Sequence, residues 1–248
     1  MGDQDIVALA TIEKRVHSQN GEDGIIAYLV SALYECERRY LEIGCGNGKR
    51  NNCTWLAKQG WFGLAIDREA KRLEAFRAFC AIEGLHNVQT LAMPAERKSA
   101  LTFAALMPDP DVFSIDIDSI DWHVAEAMVV AGFGPKIAIC EYNAAFGARP
   151  ITVTYRYPFE RPRGLKHFYF GASVAAWRRL WEPLGYRFVT VDSSGINCFF
   201  IKRDAADMAK IDRVDWLGWA DSVGLKVATR KPAKARWRVI KNMAFESV

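Results

Sequence analysis

The chain has 248 residues, half of them apolar and a quarter charged, a composition that fits a globular domain and excludes a disordered chain, a coiled coil and a collagen-like fibre. Lysine and arginine exceed aspartate and glutamate by 33 − 29 = 4, an excess too small to demand a polyanionic partner. A chain of this length buries roughly 70% or more of the surface it exposes when unfolded, so a core forms without staples.

Six cysteines, Cys36, Cys45, Cys53, Cys80, Cys140 and Cys198, lie scattered without a CxxC pair, mostly in apolar stretches, which predicts reduced thiols. The first fifteen residues lack a basic start followed by an apolar block, and no apolar run reaches the roughly 20 residues that cross a bilayer. Together these predict a cytoplasmic protein without a membrane partner.

Apolar residues at helical spacing predict a helix over 24–33, with turn and capping residues in front of it at 18–23. A short apolar run at 40–43 stops at Gly44 and leads through Cys45-Gly46-Asn47-Gly48 into a helical segment at 52–59, which reads as strand, glycine turn, helix. The unit repeats, with strands at 62–66 and 88–93 around a helix at 69–83, a strand at 111–117, a helix at 121–131 and an apolar strand at 136–141. Strands alternating with helices imply a parallel sheet. Residues 143–171 have no clear period and carry Pro150, Pro158 and Pro162, so they predict an ordered excursion above the sheet. A helix at 172–184 precedes two strands, 186–191 and 197–202, joined by Ser193-Ser194-Gly195. The expected fold is α/β: a Rossmann-like, seven-stranded, mostly parallel sheet closed by an antiparallel hairpin, with helices on both faces. Beyond position 204 the chain is basic and rich in tryptophan (Trp216, Trp219, Trp237).

Glycine lets a ligand touch backbone at the end of a first strand. The turn Glu42-Ile43-Gly44-Cys45-Gly46-Asn47-Gly48 has Lys49 where the dinucleotide fingerprint GxGxxG needs glycine, which argues against a nicotinamide or flavin pyrophosphate. Glu42 beside the turn suits a ligand with a cationic end. Asp67, directly after the second strand, can accept both hydroxyls of a ribose or cap the helix that follows. Met93-Pro94-Ala95-Glu96 ends the third strand and can flank an adenine ring.

The order of elements, EIGCGNG at 42–48 and AID at 65–67 resemble class I S-adenosylmethionine-dependent methyltransferases. SQNGEDGII (18–26), GWFGLAID (60–67), FSIDIDSIDWHV (113–124), CEYNAAFG (140–147), FGAS (170–173) and GINCFFIKR (195–203) resemble, more narrowly, an FkbM-like group. The resemblance runs from about 16 to 204. It implies a methyltransferase domain over 1–204, with residues 205–248 as an extension packed on it. It also implies cofactor contacts at Gln19, Glu42, Gly44, Gly46, Asn47, Asp67, Arg68, Glu96 and Asp116.

Asp116 and Asp118 close the fourth strand and Glu141 and Asn143 the fifth, so their oxygens are expected to converge and to suit Mg²⁺. Without a metal the same groups can act as bases, and the candidate catalytic set is Asp116, Glu141, His123 and His167. The expected reaction is methyl transfer to a hydroxyl of a small polar acceptor, a sugar, glycan or secondary metabolite. An RNA methyltransferase, using the basic run Arg230 to Arg238, and a non-catalytic nucleoside-binding protein of the same fold remain open alternatives, as does a homodimer.

Overall fold

A computed structural model describes residues 6–218 and 233–248. Seven strands form the main sheet: β1 Arg39–Ile43, β2 Phe62–Asp67, β3 Val88–Ala92, β4 Val112–Ile115, β5 Ile137–Glu141, β6 Tyr186–Val191 and β7 Asn197–Lys202. Their order is β3-β2-β1-β4-β5-β7-β6. Every pairing from β3 to β5 is parallel, and β7 runs antiparallel to both β5 and β6. β7 is therefore the single reversed strand, as the hairpin turn at 193–195 requires.

The helices that frame the sheet are α1 Glu22–Val30, α2 Thr54–Lys58, α3 Ala70–Glu83, α4 Arg97–Leu106, α5 Asp121–Val130, α6 Val174–Trp181 and α7 Ala233–Ile240. Side chains alternate along each strand, and a parallel sheet covered on both faces buries both sets. Leu41, Ile43, Phe113, Ile115, Ala138 and Cys140 pack with α4, α5 and α6. Tyr40, Ala65, Val112, Ile137 and Ile139 pack on the opposite face with Ile25, Leu56 and Phe76. This alternation carries through to the site. Glu42 shares a face with Tyr40, and register pairs it with Ser114.

The excursion after β5 is organised by the end of the chain. Ile151–Val153 pairs antiparallel with Phe245–Ser247. Phe146 meets Trp237 and Phe245 edge-on, and the Arg149 guanidinium lies 4.2 Å over the Trp237 ring. The backbone N–H of Tyr155 donates to the Glu246 carboxylate at 2.7 Å. Residues 233–248 thus belong to the same packed body as the sheet. Trp219 and the basic residues Arg230 and Lys231 lie outside the described residues. No helix among the described residues is long and apolar enough to cross a membrane.

Candidate active site

Gly44 ends β1 with φ +92°, and a Cβ there would lie 1.8 Å from the carbonyl oxygen of Asp116. Only glycine lets the ends of β1 and β4 approach this closely. Gly44 N–H donates to Ile66 O and Asp116 N–H to Ile43 O, so the ends of three adjacent strands are fixed together. A cavity opens on each side of this seam. The first, about 150 Å³, has Asp67, Arg68, Met93, Ala95 and Tyr157 in its wall; the second, about 160 Å³, has Glu42, Gly46, Asn47, Arg50 and Asn51. Ile43, Gly44 and Asp116 belong to both. Each is an order of magnitude above the ~10–15 Å³ that one water needs.

Asp67 Oδ2 accepts from Gly46 N–H at 3.0 Å and Oδ1 from Glu69 N–H at 2.8 Å. The carboxylate braces the glycine turn and caps the segment leading into α3 while its remaining lone pairs face the first cavity. Glu42 is 3% exposed and accepts from the backbone N–H of Asn52 and Cys53 and from the Asn51 amide. Burial nevertheless pushes its carboxyl up to about 8, with negative Asp116 adding to the rise. Glu42 both shapes the loop and lines the second cavity.

Register explains the next feature. Ile115 pairs with Cys140, so Asp116 and Glu141, one residue further along parallel strands, come side by side. Asp121, at the start of α5, completes a group whose carboxylate oxygens lie within 4.8 Å of one another. Burial first, then Asp118 and Asp121, raises Asp116 to about 7. Burial and then Asp116 push Glu141 well up, and burial raises Asp121 to about 6. Asp116 and Glu141 hydrogen-bond side chain to side chain. Among the described residues, no Lys, Arg or His forms an ion pair with Glu42, Asp67, Asp116, Asp121 or Glu141.

The four oxygens expected to hold Mg²⁺ do not assemble. Asn143 spends its amide N–H groups on Phe168 O (2.7 Å) and Phe170 O (2.9 Å) and its carbonyl on Ala145 N–H, so it holds the excursion in place. Asp118 adopts φ +56°, which swings its exposed side chain out to an ion pair with Arg161, itself stacked 3.9 Å over Phe170. Asp121 stands in its stead, but it is fully buried and both its oxygens accept backbone N–H groups, from Ile117 and Ser119. A hard octahedral ion that keeps several waters fits such a site poorly. Chelation with EDTA is accordingly expected to leave ligand affinity unchanged; a several-fold loss would reinstate a metal.

Neither histidine stands at the seam. His123 is fully buried, its Nε2 2.8 Å from Val153 O and its Nδ1 3.0 Å from the Arg97 guanidinium. The arginine can only donate, so Nδ1 accepts and Nε2–H donates to the carbonyl. Burial holds the ring's pKa down, and it packs between Trp122 and Tyr155. The His167 ring lies 3.8 Å from that of Phe168, with Nδ1 2.6 Å from Gly164 O. Gln19 is exposed, and Glu96 is the N-cap of α4, its N–H donating to Ser99 Oγ. Neither lines either of these two cavities. Of the basic tail, Arg236 is buried and Trp237 lies under Arg149, which withdraws both from a nucleic-acid backbone.

Two contributions go beyond the expectations drawn from sequence. Asp121 looks there like an ordinary acid in a first helical turn. The loop at 18–23 proves to be a carboxylate-built brace: Asp23 accepts the N–H groups of Val16, His17 and Ser18, and fully buried Glu22 accepts from Asn20 and from Asn197 on β7.

No family model matches the chain, and no curated protein matches it. Among solved structures, it is similar to cofactor-bound Rv0187 from MTB (18% identity, 78% of this chain and 85% of that one, TM-score 0.48). It is also similar to a SAM-dependent methyltransferase from Geobacter sulfurreducens in complex with S-adenosyl-L-homocysteine (16%, 71% and 68%, TM-score 0.44). The methyltransferase domain of bacterial CtHen1-C gives 16% identity, 73% and 95% coverage and a TM-score of 0.45.

Proposed function

We propose that this protein is an S-adenosylmethionine-dependent O-methyltransferase, of the FkbM-like kind that its motifs resemble, acting on a hydroxyl of a small polar acceptor. The observation that carries the reading is the pair of cavities joined at Gly44 and Asp116. One has a carboxylate beside apolar Met93 and Ala95, suited to a ribose and an adenine; the other has Glu42, suited to an amino group. S-adenosylmethionine, when bound, supplies a methyl group on a sulfonium, and the C–S electron pair stays with sulfur when an acceptor oxygen takes the methyl.

The chain's own groups then have three tasks. Asp67 orients the nucleoside, and the glycine turn leaves its backbone open to the ligand. Asp116, beside Glu141 at the seam, is placed to accept the proton that the hydroxyl gives up, and a carboxyl titrating near neutrality suits a general base. Tyr157 and Phe159, brought down by the excursion, cover the first cavity and help exclude water.

Calorimetric titration of the folded chain with S-adenosylmethionine, S-adenosylhomocysteine and NAD tests the reading: the first two are expected to bind and the third not. Asp67→Ala is expected to weaken S-adenosylmethionine by about a hundredfold or more, the worth of two hydroxyl hydrogen bonds to a charged group at about 1.5 kcal/mol or more each. An unchanged Kd would remove Asp67 from the ribose.

A further inference from the structure

The carboxyl end of the sheet concentrates buried acid to a degree that cofactor positioning alone does not require. Asp116 is faced by Glu22 from α1, Glu42 from β1, Asp118 and Asp121 from the segment after β4, and Glu141 from β5. Asp67 of β2 stands across the first cavity. The cations in the cavity walls are Arg50 in the second and Arg68 and Arg72 in the first; all three are exposed, and Arg161 is committed to Asp118. Glu141, 7% exposed, hydrogen-bonds side chain to side chain with Asp116, which requires the pair to hold a proton. Ionising both members of such a buried pair is costly, and it becomes less so when a cation enters beside them.

Building on the methyltransferase reading, we infer that Asp116, with Glu141 beside it, discriminates the positively charged sulfonium of S-adenosylmethionine from the neutral thioether of S-adenosylhomocysteine, and so favours release of spent cofactor. The two compounds share nucleoside, amino group and carboxylate, and differ by one methyl and one positive charge. The seam between the cavities is where Asp116 presents its carboxyl to both. Without a cation, the crowded acids retain protons near neutrality. Entry of the sulfonium favours the carboxylate form, so a proton leaves as the charged ligand binds, whereas the neutral product gives no such push.

Calorimetry at pH 7 on the full chain, in two buffers of different ionisation enthalpy, reads the protons exchanged with each ligand. S-adenosylmethionine is expected to release a substantial fraction of a proton more than S-adenosylhomocysteine. The ratio Kd(S-adenosylhomocysteine)/Kd(S-adenosylmethionine) is expected to rise about tenfold between pH 6 and 8.5, the effect of one added negative charge near the sulfonium at an effective dielectric of about 20 after screening. Sinefungin, which carries an ammonium in the methyl region, is expected to follow the charged ligand. Equal proton release for the two compounds with a pH-independent ratio would overturn the inference. So would a ratio whose pH dependence survives in Asp116→Asn. Should that variant not fold, the two-buffer comparison on the unaltered chain decides by itself. Failure of both compounds to bind a folded chain would instead overturn the cofactor reading, a result distinct from a flat ratio.

Discussion

Gly44→Ala is expected to abolish binding of S-adenosylmethionine and to destabilise the chain by about 2–5 kcal/mol, combining the cost of a left-handed conformation with that of overpacking. The new methyl group would lie 1.8 Å from Asp116 O and 3.1 Å from Ile117 Cγ2. The first of these is backbone, held by the hydrogen bond from Asp116 N–H to Ile43 O, so no rotamer change relieves it. Relief requires β1 and β4 to part where the two cavities meet. Gly46→Ala is the matched control, because Gly46 also has positive φ, at 56°, yet a Cβ there meets no atom within 4 Å. That substitution is expected to cost only about 1–2 kcal/mol of strain and to leave the seam intact. Urea denaturation and calorimetric titration of both variants check the pair. Wild-type affinity in a folded Gly44→Ala protein would place the ligand elsewhere.

The sheet was legible because buried parallel strands are continuous apolar runs, and those runs stop where polar strand ends begin. Hence β1, β2, β5 and the hairpin lie within a residue or two of the positions read from sequence. The placing of Gly44, Asp67 and Asp116 at strand ends was legible for the same reason, each standing where such a run stops. Helix α4 was missed: its N-cap carries Glu96 with Ser99 three residues on, the reverse of the usual serine-first box, and its apolar stretch is short. The pairing of Ile151–Val153 with Phe245–Ser247 left no local trace, since its two halves are nearly a hundred residues apart. Asp121 rather than Asp118 lies with Asp116 and Glu141 because the direction of Asp118 depends on one positive φ, a property of a single non-glycine backbone that no residue pattern announces. His123, expected among the catalytic groups, stands away from the seam: α5 is buried on most of its surface, from Asp121 to Ala125 without a break, so no polar face marks which of its residues reach a cavity.

The ligand-free protein is expected to lose stability as pH rises from about 5 to about 8. Glu42 is raised to about 8, Asp116 and Asp192 to about 7 and Asp121 to about 6, in each case chiefly by burial, and Glu141 is raised well above the usual range. Between the ordinary carboxyl value near 4 and these folded values, the native state holds more protons than the unfolded chain. The slope of unfolding free energy with pH follows the protons bound by the unfolded state minus those bound by the native state, so it is negative here. The stabilisation is complete below about pH 4, falls as pH rises towards each folded value, and for Glu42, Asp116, Asp121 and Asp192 is gone above about pH 8. His123 works in the other direction: its pKa is lowered by burial, so its contribution is complete above about 6.5 and lost as pH falls below that. Five raised acids outweigh one histidine throughout this window, so the contribution of these groups to stability is greatest near pH 4. A tenfold difference in a carboxyl's acidity between folded and unfolded chain is worth about 1.4 kcal/mol, so even a fraction of these displacements gives a loss of about 3 kcal/mol or more across the window. Urea midpoints at pH 5, 6, 7 and 8 with a constant m-value measure it. Asp116→Asn, which keeps the shape and removes a titrating group, should reduce the slope and stabilise the chain at pH 8. A flat profile in the unaltered protein would mean that the acids at the sheet's carboxyl end are already ionised and compensated, which would also remove the basis for charge selection at the seam.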